Sequence, residues 1–199
     1  MPFPRLILPC LAAVLALVIF PALATAAGDD PMAGLNTGDN SNGPAPLIGL
    51  ASDFSSHLVV LTNNGEFKPA DATTLSGVKF LAFYYSASWC APCRAFTPKL
   101  VDFYKQFKAT HPNFELIFVN RDQTEDAMLA YMKIDDMTWP AVRFDDIAPT
   151  QATRFCGKGI PDLVLTDIDG RVLSDSFNGD TYLGPYRVMD DIKTMVPNP

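Results

Sequence analysis

Cys90 and Cys93 are separated by two residues in the segment Trp89-Cys90-Ala91-Pro92-Cys93. A dithiol at this spacing opens and closes as a disulfide with little backbone movement, and the chemistry it suits is thiol–disulfide exchange. The flanking sequence says where the pair sits. Upstream, Lys79-Phe80-Leu81-Ala82-Phe83-Tyr84-Tyr85 is a continuous, aromatic-rich run, as expected of a strand buried on both faces. Downstream, Phe96, Leu100, Phe103, Tyr104 and Phe107 recur at helical spacing with Lys99, Asp102, Lys105 and Lys108 between them. The cysteines therefore fall where a strand gives way to a helix N-terminus. Unpaired N–H groups and the positive end of the helix dipole favour an anion there, which lowers a thiol pKa. Cys90 is thus the expected nucleophile. Cys93, one turn into the helix and better buried, is the expected resolving thiol. Pro92 fits the first turn, where its missing N–H goes unneeded. Trp89 offers a flat apolar surface to a substrate chain, and Arg94 adds positive charge close to the sulfurs.

Paired cysteines also occur in zinc sites, which need about four ligands. Only Cys10 and Cys156 remain among the cysteines, and His57 and His111 are isolated in the sequence. The reading is a redox pair, with no metal and no cofactor beyond the Cys90–Cys93 disulfide itself.

The first 26 residues have the layout of a secretory signal: Arg5, an apolar stretch from Leu6 to Phe20, and A-x-A sites ending at Ala24 or Ala26. An uncleaved anchor is the alternative, and a membrane association is expected only in that case. The chain is accordingly read as exported, periplasmic or otherwise extracytoplasmic. Cys10 would leave with the signal. Loss of Arg5 from the chain's 15 basic residues leaves 14 against 22 acidic ones, a net charge of −8. That balance argues against nucleic acid and anionic membranes as partners. Residues 27–49 are rich in Gly, Asn, Asp, Ala and Pro without periodicity and read as a flexible linker. Residues 50–199 suffice for one domain.

Within that domain, Leu58–Leu61 and Glu66–Lys68 flank Asn63-Asn64-Gly65, a hairpin signal. Strands are expected at 79–86 and 114–119 and helices at 91–109 and 124–134, the first of them kinked at Pro98. A short helix near 149–155 should lead to strands at 163–165 and 171–173, and a last helix should run from Tyr182 to Val196. The order implies an α/β fold, a central mixed sheet with helices on both faces and an N-terminal β-hairpin extension.

The segment Tyr84-Tyr85-Ser86-Ala87-Ser88-Trp89-Cys90-Ala91-Pro92-Cys93-Arg94 with Phe96-Thr97-Pro98 resembles the active-site segment of the thioredoxin superfamily, in its tryparedoxin and nucleoredoxin-like branch. Trp139-Pro140-Ala141-Val142-Arg143-Phe144 resembles that branch's second signature, which normally lacks a proline after the tryptophan. Gly159-Ile160-Pro161 resembles the superfamily's cis-proline loop. The similarity covers roughly residues 55–175. It implies a thioredoxin-like fold, a cis Pro161 facing the sulfurs, and an Ile160 backbone that hydrogen-bonds an extended substrate segment. Ordinary thioredoxins carry a buried proton-transferring acid six residues before the first cysteine; here that position is Tyr84, as in the tryparedoxin-like branch. Asp122, after the 114–119 strand, is a substitute base or a solvated loop acid. Trp139 borders the site or is a core residue under a loop. Cys156, five residues before Pro161, is a small buried hydrophobe or a thiol near enough to form a further disulfide.

The leading functional expectation is an exported thiol–disulfide oxidoreductase acting on protein thiols and disulfides, with a separate electron donor or acceptor. Ala91-Pro92 lacks the histidine that, before the second cysteine, would stabilise a thiolate and make the disulfide more oxidising. Its absence points toward reduction of protein disulfides. The alternative is a thioredoxin-fold binding module, a metal or partner clamp with little redox turnover. A peroxidase is disfavoured because Thr97 follows both cysteines instead of preceding them.

Overall fold

The computed structural model describes residues 47–199. The expected signal segment, 1–26, and all of the expected linker except its last three residues lie outside the described residues. Those three do not belong to a tether. Leu47 packs against the core, and Gly49 opens helix α1 (Gly49–Phe54). The Leu50 N–H donates to the Ile168 carbonyl at 2.8 Å. Gly49 itself lies so close to that carbonyl that a Cβ would come within 2.2 Å of the oxygen. The folded part thus begins ahead of residue 50, because this corner admits glycine alone.

The expected hairpin is present as β1 (Leu58–Leu61) and β2 (Phe67–Pro69). The buried run becomes β3 (Phe80–Ser86), followed by α2 (Ala91–Lys108), β4 (Phe114–Asn120) and α3 (Glu125–Ile134). Helix α2 continues through Pro98, which removes one backbone hydrogen bond without ending the helix. Thr124 caps α3 by accepting the Ala127 N–H at 3.2 Å. Then come β5 (Ala141–Val142), β6 (Asp162–Asp167), β7 (Val172–Asp175), and a small separate hairpin, β8 (Phe177–Asn178) with β9 (Thr181–Tyr182). Helix α4 (Pro185–Met195) closes the chain. Sequence places Tyr182 in that helix, but it lies in β9. Gly184 adopts φ 87° and Pro185 takes the first helical turn, and the residue before a proline is driven out of helical conformation. Between β5 and β6 the expected short helix is a 3-10 turn at Ala152–Phe155, preceded by another at Phe144–Asp146.

Seven strands form one mixed sheet in the order β2-β1-β5-β4-β3-β6-β7. Strand β3 runs parallel to β4 and antiparallel to β6, with Tyr84 opposite Phe118 and Leu163. Alternation along the strands divides the core. Ala82, Tyr84, Leu116 and Phe118 face a layer built by α2, α3 and α4. Leu81, Phe83, Tyr85, Ile117 and Val119 face α1 and the Ala152 turn. Helices therefore cover both faces, and β3 is central and buried. Its C-terminal end delivers Cys90 to the edge of the sheet. Among the described residues, no helix is long and apolar enough to cross a membrane.

Candidate active site

Cys90 is the N-cap residue of α2, with φ −83° and ψ 104°. A cap usually offers an oxygen to the first free N–H groups; here Cys90 Sγ accepts the Cys93 N–H at 3.2 Å. The two cysteines form a disulfide across a Cα–Cα distance of 5.2 Å. Cys90 is 5% exposed and Cys93 fully buried. A sulfur so placed, with a backbone donor and a helix N-terminus behind it, is held where negative charge is favoured. Of the pair, only Cys90 is within reach of an outside sulfur.

The loop before β6 meets this helix end. The Ile160–Pro161 peptide bond is cis, and the Ile160 carbonyl oxygen lies 3.6 Å from Cys90 Sγ. Ile160 also packs against Ala87, Cys90 and Cys93. Trp89, 63% exposed, and Ile160 border a groove of about 530 Å³ whose other walls include Asp122, Phe144, Ile147 and Cys156. Pro92 is exposed beside it on the first turn of α2.

Two side chains assigned near the sulfurs from sequence instead hold the preceding loop. The Asp122 carboxylate accepts from the Ser88 N–H at 3.0 Å and from the Ser88 hydroxyl at 2.8 Å. It is a buried clamp on the loop before Cys90, not a solvated acid. The Arg94 guanidinium donates to the Ser88 carbonyl, two residues before Cys90, so its charge is anchored on the loop that leads into the dithiol. Ser88 is gripped on both sides, and the position of Trp89 and Cys90 follows from it.

Behind Cys93 the usual acid is replaced by hydroxyls. Thr97 Oγ1 donates to the Cys93 carbonyl at 2.9 Å and lies 2.8 Å from the Tyr84 hydroxyl and 2.7 Å from that of Tyr131. With its one proton on Cys93, Thr97 must accept from both phenols, and Tyr131 then accepts from the Ser86 hydroxyl 2.9 Å away. Every proton is assigned and every group is neutral. Burial pushes the Tyr84 and Tyr131 phenols above their ordinary range, so this network holds no titratable base. Trp139 does not border the site. It is fully buried, edge-on to Tyr84 and Tyr104 with ring centroids at 6.4 and 5.4 Å.

Cys156 is a free, half-buried thiol in the groove wall, between the two readings its sequence position allows. Burial, with the Asp162 carboxyl beside it, pushes its pKa up to about 11, which keeps it protonated and a poor nucleophile near neutrality. Asp162, next to Pro161, is fully buried and accepts the Gly157 N–H at 2.7 Å. Desolvation raises its pKa to about 7. Sequence reasoning missed Asp162 because an acid opening a strand reads as a surface residue. It missed Thr97 and Tyr131 because their hydroxyls meet only through packing, although Thr97 falls one helical turn after Cys93.

The chain matches the Thioredoxin-like family over residues 77–172. It is 35% identical over 134 residues to nucleoredoxin from Danio rerio, covering 66% of this chain and 30% of that protein. Tryparedoxin II from C. fasciculata is 35% identical, with a TM-score of 0.52 over 65% of this chain and 87% of that one. The chain belongs to the thioredoxin superfamily, in its tryparedoxin and nucleoredoxin branch. A thioredoxin from Wuchereria bancrofti superposes with a TM-score of 0.53 at 27% identity, over 71% of this chain and 97% of that one. The chain spans under a third of the length of the nucleoredoxins it matches. As a member of this oxidoreductase family it carries the Cys90–Cys93 disulfide where strand β3 hands over to α2. Its site differs from that of an ordinary thioredoxin in the hydroxyl network under Cys93.

Proposed function

We propose that this protein is an exported thiol–disulfide oxidoreductase that reduces disulfides in protein substrates. The observation that carries the reading is the asymmetry of the pair: Cys90 is slightly exposed and capped by the Cys93 N–H, while Cys93 is fully buried. In the reduced protein the Cys90 thiolate attacks one sulfur of a substrate disulfide. A mixed disulfide forms and the other substrate sulfur leaves as a thiolate. Cys93 then attacks Cys90 Sγ, closing the intramolecular disulfide and releasing the second substrate thiolate. The protein has given up two electrons, and a separate dithiol donor must restore it. No bound cofactor is needed, since the disulfide carries the electrons.

Trp89, Pro92 and the cis Ile160–Pro161 loop form the surface on which the substrate chain lies, with Ile160 at its centre. Binding through backbone and flat apolar contacts tolerates many substrate sequences. The reducing direction is supported by Ala91-Pro92, which place no histidine beside the thiolate. Export is supported by the signal-like residues 1–26 alone. Insulin tests the activity: the pre-reduced chain should cleave its interchain disulfides stoichiometrically and the Cys90→Ser variant should not. Stoichiometric zinc or copper on the reduced protein, without insulin cleavage, would establish the clamp instead.

A further inference from the structure

Between β7 and α4 the hairpin β8–β9 is fastened to the loop that precedes β6. The Tyr182 hydroxyl donates to the Pro161 carbonyl at 2.8 Å. Lys158 pairs with Asp180 at the hairpin tip. Phe177 lies directly over Gly157, where a Cβ would come within 2.2 Å of the ring. Three separate contacts make the hairpin part of the same rigid unit as the cis-proline loop.

Beside these contacts lies an open, shallow cleft of about 240 Å³, lined by Lys158, Gly159, Ile160, Phe177 and Tyr182. Ile160 and Gly159 are shared with the groove that holds Trp89. The polar groups of the lining are already engaged, the Lys158 ammonium by Asp180 and the Tyr182 hydroxyl by Pro161. What faces the space is the Phe177 and Tyr182 rings, set 5.0 Å apart between centroids, with the Ile160 side chain and the methylene stem of Lys158. Tyr182 is 49% exposed, and its neighbour in the lining, Ile160, packs against Cys90. Ile160 joins the two: its carbonyl is 3.6 Å from Cys90 Sγ and its side chain lines the cleft.

We propose that this cleft is a substrate subsite for an apolar side chain of an extended polypeptide, two residues from the cysteine that reacts with Cys90. In an extended chain, side chains on one face recur every second residue, roughly 6.5–7 Å apart, and a single residue, Ile160, both touches Cys90 and lines the cleft. The proposal rests on the reading that protein disulfides are the substrates.

The test uses the pre-reduced full-length chain and two seven-residue peptides, each with a central cysteine capped by thionitrobenzoate. One carries leucine two residues to either side of the cysteine, the other serine. Cys90 displaces thionitrobenzoate, whose absorbance reports the step, and Cys93 then releases the peptide thiol. The leucine peptide should react about tenfold faster. Phe177→Ala, which removes one wall, should bring the ratio to about twofold or less. So should Gly159→Leu, whose Cβ would sit an unstrained 3.8 Å from the Phe177 ring and whose side chain fills the space. Equal rates in the unaltered protein, or a tenfold ratio that survives both substitutions, overturn the proposal. If neither peptide reacts while the symmetrical disulfide of thionitrobenzoate does, the protein-disulfide reading has failed and the subsite falls with it.

Discussion

Thr97 Oγ1 bonds the Cys93 carbonyl at 2.9 Å and meets the Tyr84 hydroxyl at 2.8 Å. The place where an ordinary thioredoxin keeps a carboxyl is thus filled by a saturated set of neutral hydroxyls. On the proposed mechanism, the proton of Cys93 is then exchanged without help from a carboxyl behind it. On the same mechanism, this hydroxyl network adds no titrating group of its own to the pH dependence of exchange.

Replacing Thr97 with valine keeps the shape and leaves two buried phenols without their shared acceptor. A loss of about 1–3 kcal/mol is expected, read as a fall of several degrees in the thermal midpoint. The pH midpoint of substrate reduction should stay in place. A displaced midpoint would show that the network carries a catalytic proton.

The Asp122 clamp separates positioning from proton transfer. Asp122→Ala strips Ser88 of both hydrogen bonds and should slow reduction of protein disulfides by about 3–30-fold. Asp122→Asn, whose amide oxygen still accepts the Ser88 N–H, should recover most of that rate. An asparagine variant as slow as alanine, and rescued at high pH, would mark the carboxylate as a base.

How much of this was legible before the structure depends on what kind of signal each residue sends. The dithiol, β3, α2 and the hairpin at Asn63-Asn64-Gly65 announce themselves through spacing and periodicity, which are local. Ile160–Pro161 was recognised through resemblance, and the cis bond agrees. Trp139 was ambiguous because a tryptophan beside a proline fits a rim or a core equally, and only packing on Tyr84 and Tyr104 decides. The grip of Asp122 and Arg94 on Ser88 is not legible in the sequence, because both bond its backbone or hydroxyl, across 34 residues in the case of Asp122, and no local pattern encodes such a contact. Hairpin β8–β9 sends no sequence signal because its strands are two residues each, too short to show alternation, and only its last residue, Tyr182, falls in the expected final helix.

Asp162 makes stability fall with pH. Its carboxyl is fully buried, and the acids Asp175 and Cys156 face it, while the Gly157 N–H and Ser176 partly offset the cost of charge. Burial raises its pKa to about 7 from 3.8, so the folded state holds a proton that the unfolded state releases between those values. Stability is full below about pH 4 as far as this group is concerned, and declines as pH rises toward 7. Asp162→Asn should flatten that decline and stabilise the protein above pH 7 by about 1–4 kcal/mol, checked by denaturant melts at pH 5 and pH 8. Parallel pH profiles for the two proteins would contradict it.

Equilibration with glutathione should place the Cys90–Cys93 couple near the reducing end of the family's range, about −270 mV, and well below the strongly oxidising end at about −120 mV. A value near the latter would reverse the direction of electron flow proposed from Ala91-Pro92. It would leave the order of attack untouched.

The order of attack is the central claim, and trapping reads it directly. The Cys93→Ala variant, mixed with a disulfide-bonded protein, should accumulate a one-to-one mixed disulfide, and peptide mapping should place it on Cys90. In the Cys90→Ser, Cys93→Ala double variant the adduct should vanish, because Cys156 remains a protonated thiol. An adduct that persists in the double variant, mapped to Cys156, would contradict the account.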